Sequence, residues 1–285
     1  MSRVSYSQMS LWQNCPLQWK LRYVDKKSIQ ESNIHLVFGS AMHTVLQEYL
    51  DTMYEKSIKM ADELNLANRL QQEMVNEFKK AEEKYGNAPA TKDQLQEFFQ
   101  DGVDIIEFFI KKRADYFSKK HWNLVGCEVP VNIPLNDYTR FIGFLDVVLY
   151  HEPTHRYKII DIKTSTRGWN KWQKKDKSKT DQLLLYKKYF AQQKDIDIDN
   201  IDVEYFIVKR RLYENVDFPQ KRVQKFAPAN GSVSVNKAVQ SMATFVEQAF
   251  DEEGKHNPDQ SPTPSKKSCR FCEFNQTEHC AEGIT

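Results

Sequence analysis

The chain has 285 residues, 40% of them hydrophobic and 28% charged, with only 9 glycines and 10 prolines. That is the make-up of a soluble globular protein and excludes collagen-like and low-complexity chains. Its uncharged apolar runs are too short to cross a bilayer, so no membrane partner is expected. A net charge of +2 names no partner, but it averages an acidic stretch, with 13 Asp and Glu against 7 Lys and Arg over residues 51–107, and a basic one, with 7 against a single Asp over residues 163–179.

The first residues, MSRVSYSQMSLWQNCP, lack the apolar core of a signal peptide, and a cytoplasmic location is expected. Residues 7–24 are predicted helical, opened by Ser7 as N-cap, with Trp12, Cys15 and Trp19 on one face. Residues 39–120 read as almost wholly helical. Leu66, Leu70, Met74, Phe78 and Ala81 mark one apolar stripe, and Leu95, Phe98, Phe99, Ile106, Phe109 and Ile110 a second, with Gly86 and Pro89 between them. From residue 122 the pattern turns to strands: VGCEVPVNI, RFIGFLDVVLY and RYKIIDIKT, rich in β-branched and aromatic residues and separated by turn chemistry. A helix over about 180–193, a strand over 201–208 and a helix over 234–250 follow. The last is expected to be capped by Ser234 and to bury Val239, Met242, Val246 and Ala249. The tail from Gly254 is irregular. This order predicts one α/β domain over 1–285 with a helical insertion at 44–120.

Asp146 lies within FIGFLDVVLY and Asp161 within YKIIDIKT, each between apolar neighbours. Strict alternation puts Ile142, Phe144, Asp146 and Val148 on one face, and Ile159, Asp161 and Lys163 on one face of the next strand. Apolar residues on both faces mark doubly covered strands. Carboxylates there are costly and repel each other. A hard divalent cation such as Mg²⁺ or Mn²⁺, which takes oxygen ligands, resolves both problems. Lys163 is placed to stabilise charge developing on a phosphate or to orient a cation-bound water. An Asp-x-Lys alone also describes a buried ion pair, so its weight comes from its surroundings. His43, in GSAMHTVL, shares a helix face with Leu46 and Leu50, and Gln182 and Tyr186 share one with Leu185 and Tyr189.

Taken in order, GxxxH (Gly39 to His43), a strand acid (Glu128), GFLD (Gly143 to Asp146), DIK (Asp161 to Lys163) and QxxxY (Gln182 to Tyr186) resemble the PD-(D/E)XK nuclease superfamily. The resemblance spans essentially the whole chain and is strongest to the RecB-like branch, which includes the nuclease domains of AddB and RecB and the RecB-type nucleases of CRISPR adaptation. It implies a restriction-endonuclease-like mixed sheet flanked by helices. By that resemblance His43, Asp146, Asp161 and the carbonyl of Ile162 hold Mg²⁺ or Mn²⁺, and Lys163 is the catalytic lysine. Gln182 and Tyr186 support the site or contact the substrate backbone. Glu128 is carried over only as an acid behind the ligands, or as a plain strand acid. The activity implied is a deoxyribonuclease, an exonuclease working from ends of single-stranded DNA in recombination, repair or DNA processing. The rival readings are a non-catalytic nucleic-acid-binding module, or a nuclease subunit with a helicase or recombination partner or in a CRISPR-adaptation complex. No G-x-x-x-x-G-K-S/T phosphate loop occurs, so a helicase motor would be a separate chain.

Five cysteines, an odd number for a reducing compartment, speak against a disulfide framework. Cys269, Cys272 and Cys280 are spaced C-x2-C-x7-C, which brings three thiolates from one segment. A fourth ligand comes from Cys15, Cys127 or His279, and spacing alone admits Zn²⁺ as well as an iron–sulfur cluster. The segment SYSQMSLWQNCPLQWKLRYV resembles the N-terminal segment of RecB-type nucleases that carry a [4Fe–4S] cluster. By that resemblance Cys15, Cys269, Cys272 and Cys280 hold the cluster, with Zn²⁺ the alternative, and the tail over 254–285 is joined to the N-terminal helix. Cys127 is then an ordinary buried thiol.

The loop STRGWNKWQKKDKSKT interleaves Trp169 and Trp172 with Arg167, Lys171, Lys174 and Lys175. Basic residues track phosphates and aromatics stack on splayed bases, a combination suited to single-stranded nucleic acid. Lys209, Arg210 and Arg211 are expected to extend this path. The helical segment is expected to arch over the site, so that a strand threads from a free end.

Overall fold

Long-range pairing, rather than local propensity, sets the architecture of the computed structural model, which describes residues 1–27 and 32–284. A short strand β1 (Ser2–Val4) leads into α1 (Tyr6–Asn14), whose cap is the Ser5 hydroxyl, accepting from the amide of Gln8. The expected cap, Ser7, lies inside the helix. The helix expected over 7–24 is also broken. Cys15 is extended (φ −162°, ψ 113°), because the proline behind it excludes the α conformation, and α2 (Pro16–Trp19) starts afresh before a π-helical turn over Lys20–Val24.

Next come α3 (Ile34–Glu55), α4 (Ile58–Asp62), α5 (Leu66–Tyr85) and α6 (Lys92–Lys112). The boundary expected at residue 44 therefore falls within α3. Gly86 ends α5 in the left-handed region (φ 73°), and a Thr91–Gln94 capping box opens α6. Of the two apolar stripes, Leu66, Leu70, Met74, Ala81, Phe98, Ile106 and Phe109 are buried and Phe78, Leu95, Phe99 and Ile110 half-buried, and Gly102 lets the helices touch: a side-chain carbon there would fall 2.4 Å from Leu70 Cδ2. The remainder is β2 (Trp122–Pro134), β3 (Thr139–His151), β4 (Arg156–Ser165), α7 (Lys171–Lys175), α8 (Lys177–Lys194), β5 (Ile201–Lys209), β6 (Val223–Phe226), α9 (Ser232–Ala249) and α10 (Lys266–Cys269). α9 is preceded by Gly231 at the cap position, not by Ser234.

The sheet is mixed, with order β1-β3-β4-β5-β6 and β2 against β3. β2 runs antiparallel along one edge of β3, from Trp122 opposite His151 to Pro134 opposite Arg140. The other edge of β3 is shared. β4 pairs there only between His151 and Val147, and β1 only between Thr139 and Phe141. The stretch Ile142–Asp146 thus has no strand beside it, and the sheet forks. β4 meanwhile stays paired with β5 along its whole length.

Helices cover both faces. The first core joins the sheet to α1, α8 and α9 through Trp12, Tyr189, Phe190 and Phe245. The second joins it to α3, α5 and α6 through Phe38, Tyr49, Phe98 and Phe109. This is the α/β, restriction-endonuclease-like arrangement expected. One detail of the strands differs. Leu145 and Val148 both belong to the first core, and Val147 and Leu149 to the second. Alternation slips by one residue at the fork, where β3 is paired on one edge only, with β2, so Asp146 and Val148 do not share a face.

The tail lies on the first helices. Trp12 Nε1 donates to Gln260 Oε1 (2.8 Å), Thr263 Oγ1 to the carbonyl of Asn14 (3.2 Å) and Gln18 Nε2 to Glu273 Oε2 (3.1 Å), while Arg22 pairs with Glu273. Among the described residues no helix is long and apolar enough to cross a membrane.

Candidate active site

Where β3 and β4 part, Asp146 and Asp161 would have formed the next pair. Asp146 instead turns Oδ2 onto the amide of Ile162 (2.7 Å), satisfying a donor that has lost its strand partner. His43, on α3, brings Nδ1 to 3.5 Å from the same oxygen. One turn on, Gln47 donates to Glu128 Oε1 (2.7 Å) and to the carbonyl of Asp146 (3.0 Å). Glu128 reaches this point because β2 is distorted: its register slips between Leu124 and Gly126, and Glu128 has a φ of +50°. His43, Glu128 and Asp146 can each present a ligand atom within 4.8 Å of the other two, and no other such trio occurs among the described residues. Glu128 therefore stands with His43 and Asp146, while Asp161, expected among the ligands, is set slightly apart.

Asp161 is 1% exposed. Lys163 Nζ lies 2.7 Å from its Oδ2, yet neither oxygen of Asp161 receives a hydrogen bond of good geometry. A buried carboxylate left in that state is costly. A buried carboxylate whose one partner is an ammonium, beside two further carboxylates and an imidazole, is an oxygen-rich donor set that fits Mg²⁺ or Mn²⁺.

The local fields are consistent with this. Burial, reinforced by the charge of Asp161, pushes the Asp146 carboxyl up to about 8. Burial and the charge of Lys163 hold His43 below the ordinary imidazole value, so its ring is neutral and able to ligate. Burial works against the charge on Lys163, but Asp161 and Asp146 outweigh it, and the ammonium is held charged. On α8, Gln182 Nε2 donates to the hydroxyl of Tyr186 (3.2 Å), whose pKa burial raises. A carbon on Gly143 would fall 2.6 Å from Tyr186 Cε1, so the glycine of GFLD lets the tyrosine lie against β3.

The basic loop divides. Trp172 is 69% exposed, with Lys171 Nζ 5.0 Å from its ring centre. Trp169 is buried against Tyr205 and Phe226, and the Gln224 side chain holds both its amide and its carbonyl. It is a core residue with no face for a base, which corrects the stacking role expected for it. The path expected over Lys209–Arg211 is closed as well. Arg210 is buried and pairs with Glu97 and Asp101 of α6, and Arg211 pairs with Glu97. The cleft before the site is walled by α3, Glu128, the end of β4 and Arg210. Thr44 and Gln47, within the helical segment expected over 44–120, form part of that wall, and no residue of α4–α6 lines the cleft.

Cys15 and Cys269 are buried, Cys272 and Cys280 half-buried, and none is in a disulfide. Burial raises the Cys272 thiol and the charges of Cys15 and Cys280 add to it; Cys280 is raised by burial and by Cys15 and Cys269. Among the described residues the four sulfurs do not gather as closely as the ligand atoms of His43, Glu128 and Asp146 do. Cys127 sits elsewhere, below α3, its thiol pushed far up by burial and by Asp51.

A mixed sheet forked over paired carboxylates, with a lysine two residues beyond the second, is the architecture of a metal-dependent nuclease. The profile of the PD-(D/E)XK nuclease superfamily matches residues 3–277, and the chain belongs to that superfamily. Among solved structures, a "Putative exonuclease" from Eubacterium rectale is similar, with a TM-score of 0.49 and 14% identity over 86% of this chain and 80% of that one. No curated protein sequence matches.

Proposed function

We propose that the chain is a Mg²⁺- or Mn²⁺-dependent exonuclease of the RecB-like branch that hydrolyses single-stranded DNA from its ends. The observation that carries this is Asp161, buried, with the Lys163 ammonium 2.7 Å from Oδ2 as its one partner, next to Asp146 at the fork. Asp146, Asp161, His43 and the Ile162 carbonyl hold the cation, with Glu128 beside them. A cation bound there supplies electrophilic stabilisation of the phosphodiester and an acidified water. Lys163 keeps its charge, so it stabilises negative charge developing on the phosphate and does not take the proton. Tyr186, kept protonated and oriented by Gln182, donates toward the substrate backbone. Trp172, Arg167, Lys171, Lys174 and Lys175 draw the strand in.

With Mn²⁺ and single-stranded DNA labelled at either end, the protein is expected to release product from one label first, which assigns its polarity. Binding without cleavage under these conditions would make it a non-catalytic nucleic-acid module instead.

The four thiols support a second element of the proposal: Cys15, Cys269, Cys272 and Cys280 hold a [4Fe–4S] cluster that fastens the tail over 254–285 to α1 and α2. Anaerobically purified protein should then contain about four iron and four acid-labile sulfide per chain. Cys272→Ser should lose them and unfold at a lower temperature. One zinc and no sulfide would assign the same thiolates to Zn²⁺.

A further inference from the structure

Phe144 is 52% exposed in the middle of a strand whose opposite face, Phe141 and Leu145, is fully buried. It lies in the stretch of β3 that neither β1 nor β4 covers, and its cross-strand partner Pro130 is exposed too. Asp146 follows two residues later, about 7 Å along the strand. A second cleft opens over this phenylalanine, bounded by Arg3, Ser7, Tyr186, Glu128 and Asp146. It shares Glu128 with the cleft walled by α3. The two clefts therefore meet at the acidic trio and leave it on different sides. Arg3 is the one cation of the second cleft and has no carboxylate within ion-pair distance among the described residues. An exposed aromatic ring, a free guanidinium and a reacting centre in one groove match the three parts of a nucleotide: base, outer phosphate and scissile phosphate.

We propose that Phe144 is the platform on which the base next to the scissile phosphate stacks, with Arg3 on that nucleotide's outer phosphate. This rests on the nuclease reading and names what the site selects. A base within a duplex has both faces covered by its neighbours, so the ring takes an unpaired nucleotide, or the outer face of a terminal pair, and rejects internal base pairs. The selection is for strandedness and not for sequence, because every base offers a π-face. Phe144 is a positioning residue and takes no part in the chemistry.

The test is a four-way comparison of wild type and Phe144→Ala on a single-stranded oligonucleotide, intact or with one abasic nucleotide placed at successive positions. Phe144→Ala should raise KM about tenfold on intact DNA with kcat unchanged. Wild type should lose a similar factor at the bond beside the abasic position, and Phe144→Ala should lose nothing further there. Phe144→Trp should restore wild-type behaviour. The proposal is overturned if Phe144→Ala matches wild type on intact DNA, or if the abasic position costs both proteins equally. If wild type cleaves nothing, the nuclease reading fails on its own. The same comparison, read as anisotropy of a labelled oligonucleotide in Ca²⁺, then decides the subsite: coupling between ring and base supports it, and additive losses overturn it.

Discussion

Asp161→Asn is expected to slow cleavage of single-stranded DNA by about a thousandfold or more, while leaving the metal-free protein close to its original stability. The substitution keeps the shape and removes a buried charge whose one partner is the Lys163 ammonium. The ammonium it leaves behind is one-third exposed and can be hydrated. Lys163→Met should lose activity to a similar degree but with the opposite effect on the fold. It strands a carboxylate that is 2% exposed, at about 3 kcal/mol in the absence of a cation. Added Mg²⁺ should return much of that stability to Lys163→Met and little to Asp161→Asn. A plain structural ion pair has no reason to show this asymmetry. Initial rates and thermal unfolding in EDTA and in Mg²⁺ check both. Asp161→Asn retaining more than about a tenth of wild-type activity, or a full cation-induced rise in its unfolding temperature, would remove Asp161 from the site.

The parts of the molecule legible in its sequence are those where local pattern and tertiary environment agree. VVLY and YKIIDIKT announce covered strands because both faces of the end of β3 and of β4 meet a helical layer, and the stripes of α5 and α6 follow their period into the second core. The failures share one physical cause: a distant partner decides. β1 is only three residues long and exists through its pairing with Thr139–Phe141. Trp169 and Trp172 stand in the same basic stretch, but Gln224, Tyr205 and Phe226 bury the first and nothing covers the second. Arg210 and Arg211 read as free cations until Glu97 and Asp101, more than a hundred residues away, close on them. The acid at Glu128 was visible in the sequence, but the backbone twist that swings it onto His43 and Asp146 was not. The slip of β3 at Asp146 follows from a fork that no single strand encodes.

The fork also predicts how cation binding depends on pH. Asp146 binds its proton far more tightly in the fold than in the unfolded chain, where a carboxyl titrates near 4. Between about 4 and 8 the native state therefore holds a proton that the unfolded state has lost, and the stability of the metal-free protein should fall as pH rises through this window. Half-buried Asp51 and buried Asp181 are raised as well and add to the same slope, so the comparison that isolates the site is wild type against Asp146→Asn, in which the fall should be shallower. A divalent cation competes with that proton. Its apparent affinity should weaken as pH drops below the carboxyl's value, by about fiftyfold between pH 8 and pH 6. The gain in unfolding temperature from Mg²⁺ should accordingly be larger at pH 8 than at pH 6. A gain independent of pH would mean that the cation does not displace the proton on Asp146 and binds elsewhere.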